Sequence, residues 1–353
     1  MVMGERENPQ SLLITGGAGF IGTNFVRYLL RHTDVQVVVV DALAYAGQHC
    51  NVEQWQGDQR CSFVRGHIEN AELVEYVCRT YAVDTIVNLA AQTHVDRSIL
   101  DVHPFVEAIV RGTVVLLEIA RRLRLSRFVQ MSTDEVYGEC LVGECSEGSP
   151  IVPSSPYAAS KAAADSFVQS YGRTYGLSTL IVRSCNVYGP SQFPEKLVPM
   201  SILCALHDEL IPLYGDGTQR RQWLFVEDLC RALWLLCRVG QPGQVYHVSS
   251  GIEQENREMV EHILQLLRKP RTLLSSVPDR PGHDRRYALR WDKIRDLGWE
   301  PQISLEEGLK QTVEWYQANR SWWEPLWTGP YARYRQQWYG QLSQSGAASW
   351  GMV

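Results

Sequence analysis

Apolar positions in the first half of the chain follow two alternating periods. Residues 12–15 form a short apolar run, a glycine turn follows, and residues 21–30 carry a helical repeat. Residues 35–40 are β-branched and lead into Asp41. Residues 61–64 and 85–89 are further short apolar runs, with a helical pattern over 72–80 between them. The spacing then predicts a long helix over 106–123, a strand over 128–132, a helix over 158–174 and a strand over 179–183. Strands that alternate with helices pair in parallel, and strands apolar throughout are covered on both faces. The expected class is α/β, a doubly wound parallel sheet with a smaller C-terminal α/β lobe.

The pattern changes after about Gly189. Proline and glycine thicken between Pro190 and Gly217. Helical patterns follow over 226–239, 259–267 and 305–318, with a strand over 244–248. These signals divide the chain into a first domain over 11–188 and a lobe over 189–340. Residues 225–250 are expected to return to the first domain, and 341–353 to form a flexible tail.

Composition narrows the class. The length of 353 residues suits about two domains. A hydrophobic fraction of 45% against 21% charged residues gives a folded chain with an ample core. The net charge of −5 speaks against nucleic-acid binding. No apolar run approaches the roughly 18 residues of a membrane span, and the first ten residues lack the apolar core of a signal peptide. Nine cysteines, an odd number with no CxxC pair, read as small buried hydrophobes in a reducing cytoplasm. No metal site is expected.

Candidate chemistry begins at Thr15-Gly16-Gly17-Ala18-Gly19-Phe20-Ile21-Gly22, which follows a strand and opens a helix. Gly16, Gly19 and Gly22 allow a tight turn, close approach to a pyrophosphate, and close helix–strand packing. The helix N-terminus attracts phosphates. Asp41 closes the next strand, where a carboxylate suits the ribose hydroxyls of NAD and repels the extra phosphate of NADP. The expected first domain is therefore a Rossmann-type NAD-binding domain.

Tyr157 and Lys161 lie four residues apart on a helix opened by Pro156, which places both on one face. A lysine beneath a tyrosine lowers the phenol pKa, so the phenol can take a proton as hydride leaves carbon. The strand over 128–132 runs into Thr133-Asp134-Glu135, at the sheet edge where such folds bind ligands. Two adjacent carboxyls, one protonated and one ionised, form an acid–base pair. Alcohol oxidation alone needs neither; removing a proton from carbon and expelling water needs both.

These motifs resemble the extended short-chain dehydrogenase/reductase family, and within it the nucleoside-diphosphate-glucose 4,6-dehydratases. The matching stretches include TGGAGFIG at 15–22, AAQTHVDRS at 90–98, MSTDEVYG at 131–138 and YAASKAAAD at 157–165. Further matches are YGPSQFPEKLVP at 188–199, LYGDGTQRRQWLFVED at 213–228 and DRPGHDRRYA at 279–288. The resemblance implies a lyase that uses NAD to convert dTDP-glucose to the 4-keto-6-deoxy sugar. UDP-glucose is the alternative substrate, and sugar-nucleotide epimerisation the more distant alternative reaction.

The resemblance also implies roles. Tyr157 takes the C4 hydroxyl proton, Lys161 holds the nicotinamide ribose, and Thr133 hydrogen-bonds the C4 oxygen. Glu135 removes the C5 proton, and Asp134 protonates the departing C6 hydroxyl. Phe20, Ile21, Ile68, Leu89, Ala90 and Ala91 join the glycines and Asp41 around NAD. Thr93, Asn186, Lys196, Leu197, Pro212 and Tyr214 border the sugar nucleotide. Arg221, Asn256, Arg280 and His283 hold its diphosphate and ribose, and Tyr331 closes the pocket. The chain departs from the family pattern at Ala42, Ala44, His67, Asn88, Ala108, Ile109, Val187 and Gln222, mostly towards the NAD side. The family also implies a homodimer built on a four-helix interface.

Overall fold

The computed structural model describes residues 8–344. Its centre is a seven-stranded sheet. The first five strands are β1 (Ser11–Thr15), β2 (Gln36–Asp41), β3 (Cys61–Arg65), β4 (Thr85–Asn88) and β5 (Arg127–Thr133). Then come β6 (Thr179–Ser184), β7 (Asn186–Tyr188), β8 (Ile211–Tyr214), β9 (Arg220–Phe225), β10 (Gln244–Val248), β11 (Glu253–Glu255) and β12 (Leu274–Val277). The large sheet runs β10-β6-β5-β4-β1-β2-β3, with every neighbouring pair parallel. The strand order reverses between β1 and β4, which opens a crevice at the carboxyl ends of the strands.

The apolar strands are explained by what covers each face. Leu12, Ile14, Val37 and Val39 face one core, which Phe25, Val26, Leu229 and Leu233 complete from helices Phe20–His32 and Val226–Val239. Leu13, Val38 and Val40 point the other way, against Val74, Val77, Leu116 and Ala120 of helices Ala71–Thr80 and Gly112–Leu123. Each fully buried branched side chain contributes about 1.5–3 kcal/mol, so register is strongly fixed on both faces.

The helix Pro156–Tyr175 starts where Ser155 Oγ accepts the Ala158 N–H and Pro156 takes the first turn; it stops at Gly176, with φ +67°. The helix expected over 106–123 is continuous in direction but not in type. A short turn at His103–Phe105 leads into a π-helical segment at Val106–Arg111, and the α-helix proper begins at Gly112. Its Gly112 N–H reaches back to Glu107 O, the five-residue span of a π turn.

The lobe packs around helices Leu197–Leu206, Asn256–Leu266 and Leu305–Ala318, with Trp322, Trp323 and Trp327 behind them. The small sheet β11-β9-β7 joins it to the first domain through β7, and a second, β12-β8, lies within the lobe. Helix Val226–Val239 and β10 return to the large sheet. The part of the expected tail from residue 345 on lies outside the described residues; 341–344 instead complete a final helix, Pro330–Gln344. Among the described residues no helix is long and apolar enough to cross a membrane, and no group of side chains could hold a metal ion.

Gly22 marks where the first helix meets the turn. A Cβ there would lie 2.2 Å from Gly16 O and 2.5 Å from Gly17 Cα, both backbone atoms that cannot swing aside. Gly22→Ala is expected to lower the unfolding free energy by about 1–3 kcal/mol in a urea melt. Wild-type stability for this variant would contradict the close approach.

Candidate active site

A cleft of about 550 Å³ follows the carboxyl ends of β1, β2, β4 and β5. The glycine turn and Asp41 form one end. Gly16 takes φ +67° and passes so close to β4 that a Cβ would lie 2.7 Å from Ala90 N. The helix Phe20–His32 has Gly19 at its N-cap and no side-chain cap, which leaves its first turn to an outside acceptor. Phe20, Ile21, Gly22, Ile68, Leu89, Ala90 and Ala91 line this stretch with them. Asp41 is buried, and its carboxylate accepts the N–H groups of Ala18 at 2.9 Å and Leu43 at 2.8 Å. Burial pushes its pKa up, and those two bonds pull it down. The open cradle and the acidic strand end fit the pyrophosphate and ribose of a dinucleotide.

The other end of the cleft holds Thr133, Asp134, Glu135, Tyr157 and Lys161 together. Thr133 ends β5, and the chain turns at once into a 3₁₀ segment, Asp134–Tyr137. Thr133 Oγ1 donates to Asp134 Oδ1 at 3.1 Å and accepts from the Glu135 N–H at 3.2 Å. Asp134 is buried, its Oδ2 has no hydrogen-bond partner, and burial with Glu135 beside it raises its pKa to about 7. Arg221 opposes that rise.

The Tyr–Lys pair differs from the sequence expectation. Tyr157 is raised well above the ordinary phenol value, first by burial and then by the charges of Glu135 and Asp134; the Thr133 hydroxyl pulls the other way. Lys161 Nζ instead donates to Met131 O at 3.1 Å, and burial lowers its own pKa to about 8 against the pull of Asp165. Two carboxyls and a dry site outweigh one buried ammonium.

A second hollow of about 150 Å³ opens beside the cleft. Asn186, Lys196 and Leu197 border both spaces, while Thr93 faces the cleft alone. Pro212, Tyr214, Arg221, Asn256, Arg280 and His283 line the hollow. Lys196 Nζ donates to Thr93 O, so two of the expected contacts engage each other. Arg221 gives hydrogen bonds to the carbonyls of Arg220, Asp284 and Arg285 and lies 4.2 Å from the Tyr287 ring. His283 Nδ1 meets Asp279 Oδ1 at 2.6 Å, and burial lowers its pKa.

Tyr331 does not join this group. It is buried between Phe193, Trp327 and Tyr334, and its hydroxyl donates to Pro194 O. Some departures from the family pattern prove structural too. Asn88 joins a buried network with Thr15, Thr113 and Gln130, and Ile109 packs beneath Tyr157 rather than facing the cleft. Gln222 Oε1 accepts from Ser249 Oγ and the Leu289 N–H. Ala42, Ala44, His67, Ala108 and Val187 do line the cleft. Sequence reasoning missed His94, Asp96 and Glu195, which border the hollow from within the quoted HVDRS and FPEK stretches.

Fold and cleft together define a dinucleotide-binding enzyme of the Rossmann type. The chain belongs to the GDP-mannose 4,6 dehydratase family, whose model matches residues 13–312. It is 47% identical over 321 residues to a dTDP-glucose 4,6-dehydratase of Streptomyces niveus, covering 89% of this chain and 95% of that one. The crystal structure of DesIV, a dTDP-glucose 4,6-dehydratase of Streptomyces venezuelae with NAD bound, superposes with a TM-score of 0.88. Identity is 46%, and the match covers 90% of this chain and all of DesIV. A UDP-glucose 4-epimerase of Thermotoga maritima is more distant, at 30% identity and a TM-score of 0.82 over 88% of this chain and 99% of the epimerase.

Burial of Asp134 has a consequence for stability. Between the unfolded value of 3.8 and the folded value of about 7, the folded chain holds a proton that the unfolded chain has lost. Stability therefore falls as pH rises through that window. Asp134→Asn removes this penalty. Its melting temperature is expected to exceed the wild type's above pH 7, by the equivalent of about 2–4 kcal/mol, and to converge with it towards pH 4. A pH-independent difference in thermal melts would contradict the raised pKa.

Proposed function

We propose that this protein is an NAD-dependent nucleoside-diphosphate-glucose 4,6-dehydratase, a hydro-lyase, acting on dTDP-glucose to give dTDP-4-keto-6-deoxyglucose. One observation carries the reading: a buried acid with one oxygen unpartnered and an adjacent carboxylate share a cleft with a Tyr–Lys pair. The relatives named above support the nucleotide sugar, and the cradle at Gly16–Gly22 with Asp41 supports NAD. When bound, NAD supplies the acceptor that takes hydride from C4 and later returns it to C6.

The chain's own residues do the rest. Tyr157 takes the C4 hydroxyl proton, with Thr133 placed to hydrogen-bond the same oxygen. Lys161, which lines the same end of the cleft, anchors the nicotinamide ribose. A ketone at C4 acidifies the C5 proton, which Glu135 removes. Asp134, protonated below about pH 7, gives its proton to the C6 hydroxyl, which leaves as water. The two carboxyls exchange protonation states in this step, and the proton held by Glu135 returns to C5.

Arg221, Asn256, Arg280 and His283 in the smaller hollow suit a diphosphate and ribose, for which arginine's fork is well shaped. UDP-glucose is the second reading, because thymine and uracil differ by one methyl, worth about 1–3 kcal/mol in a pocket. The epimerase reading has the Tyr–Lys pair in its favour but leaves Asp134 and Glu135 without a task. Mass spectrometry of the product from each nucleotide sugar separates all three. The reading requires loss of one water from dTDP-glucose; an unchanged mass with both sugars overturns it.

The nine free cysteines support a reducing, cytoplasmic setting. We also propose a homodimer. Val106 and Phe167 lie 43% and 40% exposed on the π segment and the Tyr157 helix, the two elements of the expected four-helix interface. Light scattering at micromolar concentration should give about twice the 40.2 kDa chain mass; a monomer mass contradicts it.

The mechanism separates two variants. Tyr157→Phe should abolish oxidation at C4. Glu135→Gln should oxidise C4 but slow elimination by roughly 10²–10⁴-fold, so near-ultraviolet absorbance of reduced cofactor builds up. Normal dehydration by Glu135→Gln would remove Glu135 from the role of C5 base.

A further inference from the structure

The hollow that borders the cleft has a back wall formed by the last helix. Trp338 Nε1 donates to Tyr214 Oη at 2.6 Å, and Tyr214 Oη donates to Asp96 Oδ2 at 2.6 Å. The direction of both bonds is fixed by chemistry. An indole N–H can only donate, so the phenol oxygen accepts from it and points its own proton at the carboxylate. The second carboxylate oxygen, Asp96 Oδ1, faces Arg280 Nε at 3.5 Å. The Arg280 side chain is 9% exposed, and its Nη1 is buried with no hydrogen-bond partner. A relay thus runs from an indole through a phenol and a carboxylate to a guanidinium with an unused donor, with His94 Nε2 3.8 Å from the same Asp96 Oδ2. Tyr214, Asp96 and Arg280 line the hollow, while Trp338 stands behind them.

The helix that carries Trp338 is held in place independently. The Tyr334 ring stacks on Trp338 at 6.4 Å and 10° between planes. The Tyr334 ring also lies 4.1 Å from the Arg97 guanidinium, which is 4.3 Å from the Tyr45 ring as well. Arg97 Nε meets Glu195 Oε2 at 3.3 Å. Arg335 pairs with Glu209 at 2.9 Å and lies 3.7 Å from the Trp327 ring. One side of the helix is thus tied to the first domain and the other to the lobe.

We propose that Trp338 and Asp96 are positioning residues for the sugar nucleotide. Acting through Tyr214, they hold Arg280 so that its unpartnered edge meets the diphosphate or ribose of a nucleoside diphosphate. The proposal rests on the functional reading above and adds to it a role for the C-terminal helix. Trp338 does not line the hollow and acts on it by fixing the phenol.

Trp338→Phe keeps a ring in place and removes the donor. Calorimetric titration of the full-length variant with dTDP and, separately, with NAD tests the relay. Binding of dTDP should weaken roughly three- to tenfold, the value of one buried hydrogen bond, with NAD binding unchanged. KM for dTDP-glucose should rise by the same factor while kcat holds. Tyr214→Phe breaks both bonds, so the double variant should bind dTDP no more weakly than Tyr214→Phe alone. Wild-type affinity for dTDP in Trp338→Phe overturns the relay. So does a loss shared equally by dTDP and NAD, which is the mark of a loosened fold. A wild-type chain that binds NAD but no dTDP overturns the functional reading, and the relay with it.

Discussion

Two carboxyl groups on neighbouring residues, one of them buried, do not both ionise at neutral pH without a large penalty. The chain meets this constraint at the end of β5. Asp134 is buried at the wall of the cleft with one oxygen unpartnered, while Glu135 borders both the cleft and the hollow. Burial thereby sorts two chemically similar groups into an acid and a base. Everything nearby serves that sorting. Thr133 fixes the turn that splits the pair, and Arg221 moderates the rise at Asp134. The arrangement costs stability at neutral pH, as active sites often do.

The larger fold is the device that brings these groups to one place. Parallel pairing carries the ends of β1, β2, β4 and β5 to a common edge, and the reversal between β1 and β4 opens the crevice there. The lobe then supplies cations from a different stretch of chain, and the cleft and the hollow share Asn186, Lys196 and Leu197. A substrate spanning both spaces touches both halves of the chain.

Much of this was legible in the sequence, for physical reasons. Strands buried over most of their length are mainly apolar, so β1, β2, β4, β5, β6 and β10 stand out from their surroundings, and the half-buried edge strand β3 shows through Phe63 and Val64. The helix Val226–Val239 has one apolar face and was read to its ends. The helix Leu197–Leu206 was not, because it is apolar all round, being buried on nearly every side, and carries Pro199 in its first turn. The short strands β7, β8, β11 and β12 are too brief to show a period, and β9 opens on three polar residues, Arg220, Arg221 and Gln222. Site residues next to glycines or strand ends could be placed from their neighbours. Tyr331 could not, since a tyrosine after Gly-Pro reads alike whether it faces a pocket or a core. Asp96 and Trp338 gain their meaning only from Tyr214 between them, a contact across 118 residues on one side and 124 on the other.

The central claim is that burial keeps Asp134 protonated near neutrality. Carbon-13 NMR of the carboxyl-labelled protein tests it directly, with the Asp134 signal assigned by its absence in Asp134→Asn. The account predicts a titration centred at about pH 7. A midpoint near the ordinary aspartate value of 3.8 would mean that Asp134 enters the reaction already ionised, and the assignment of acid and base would fall.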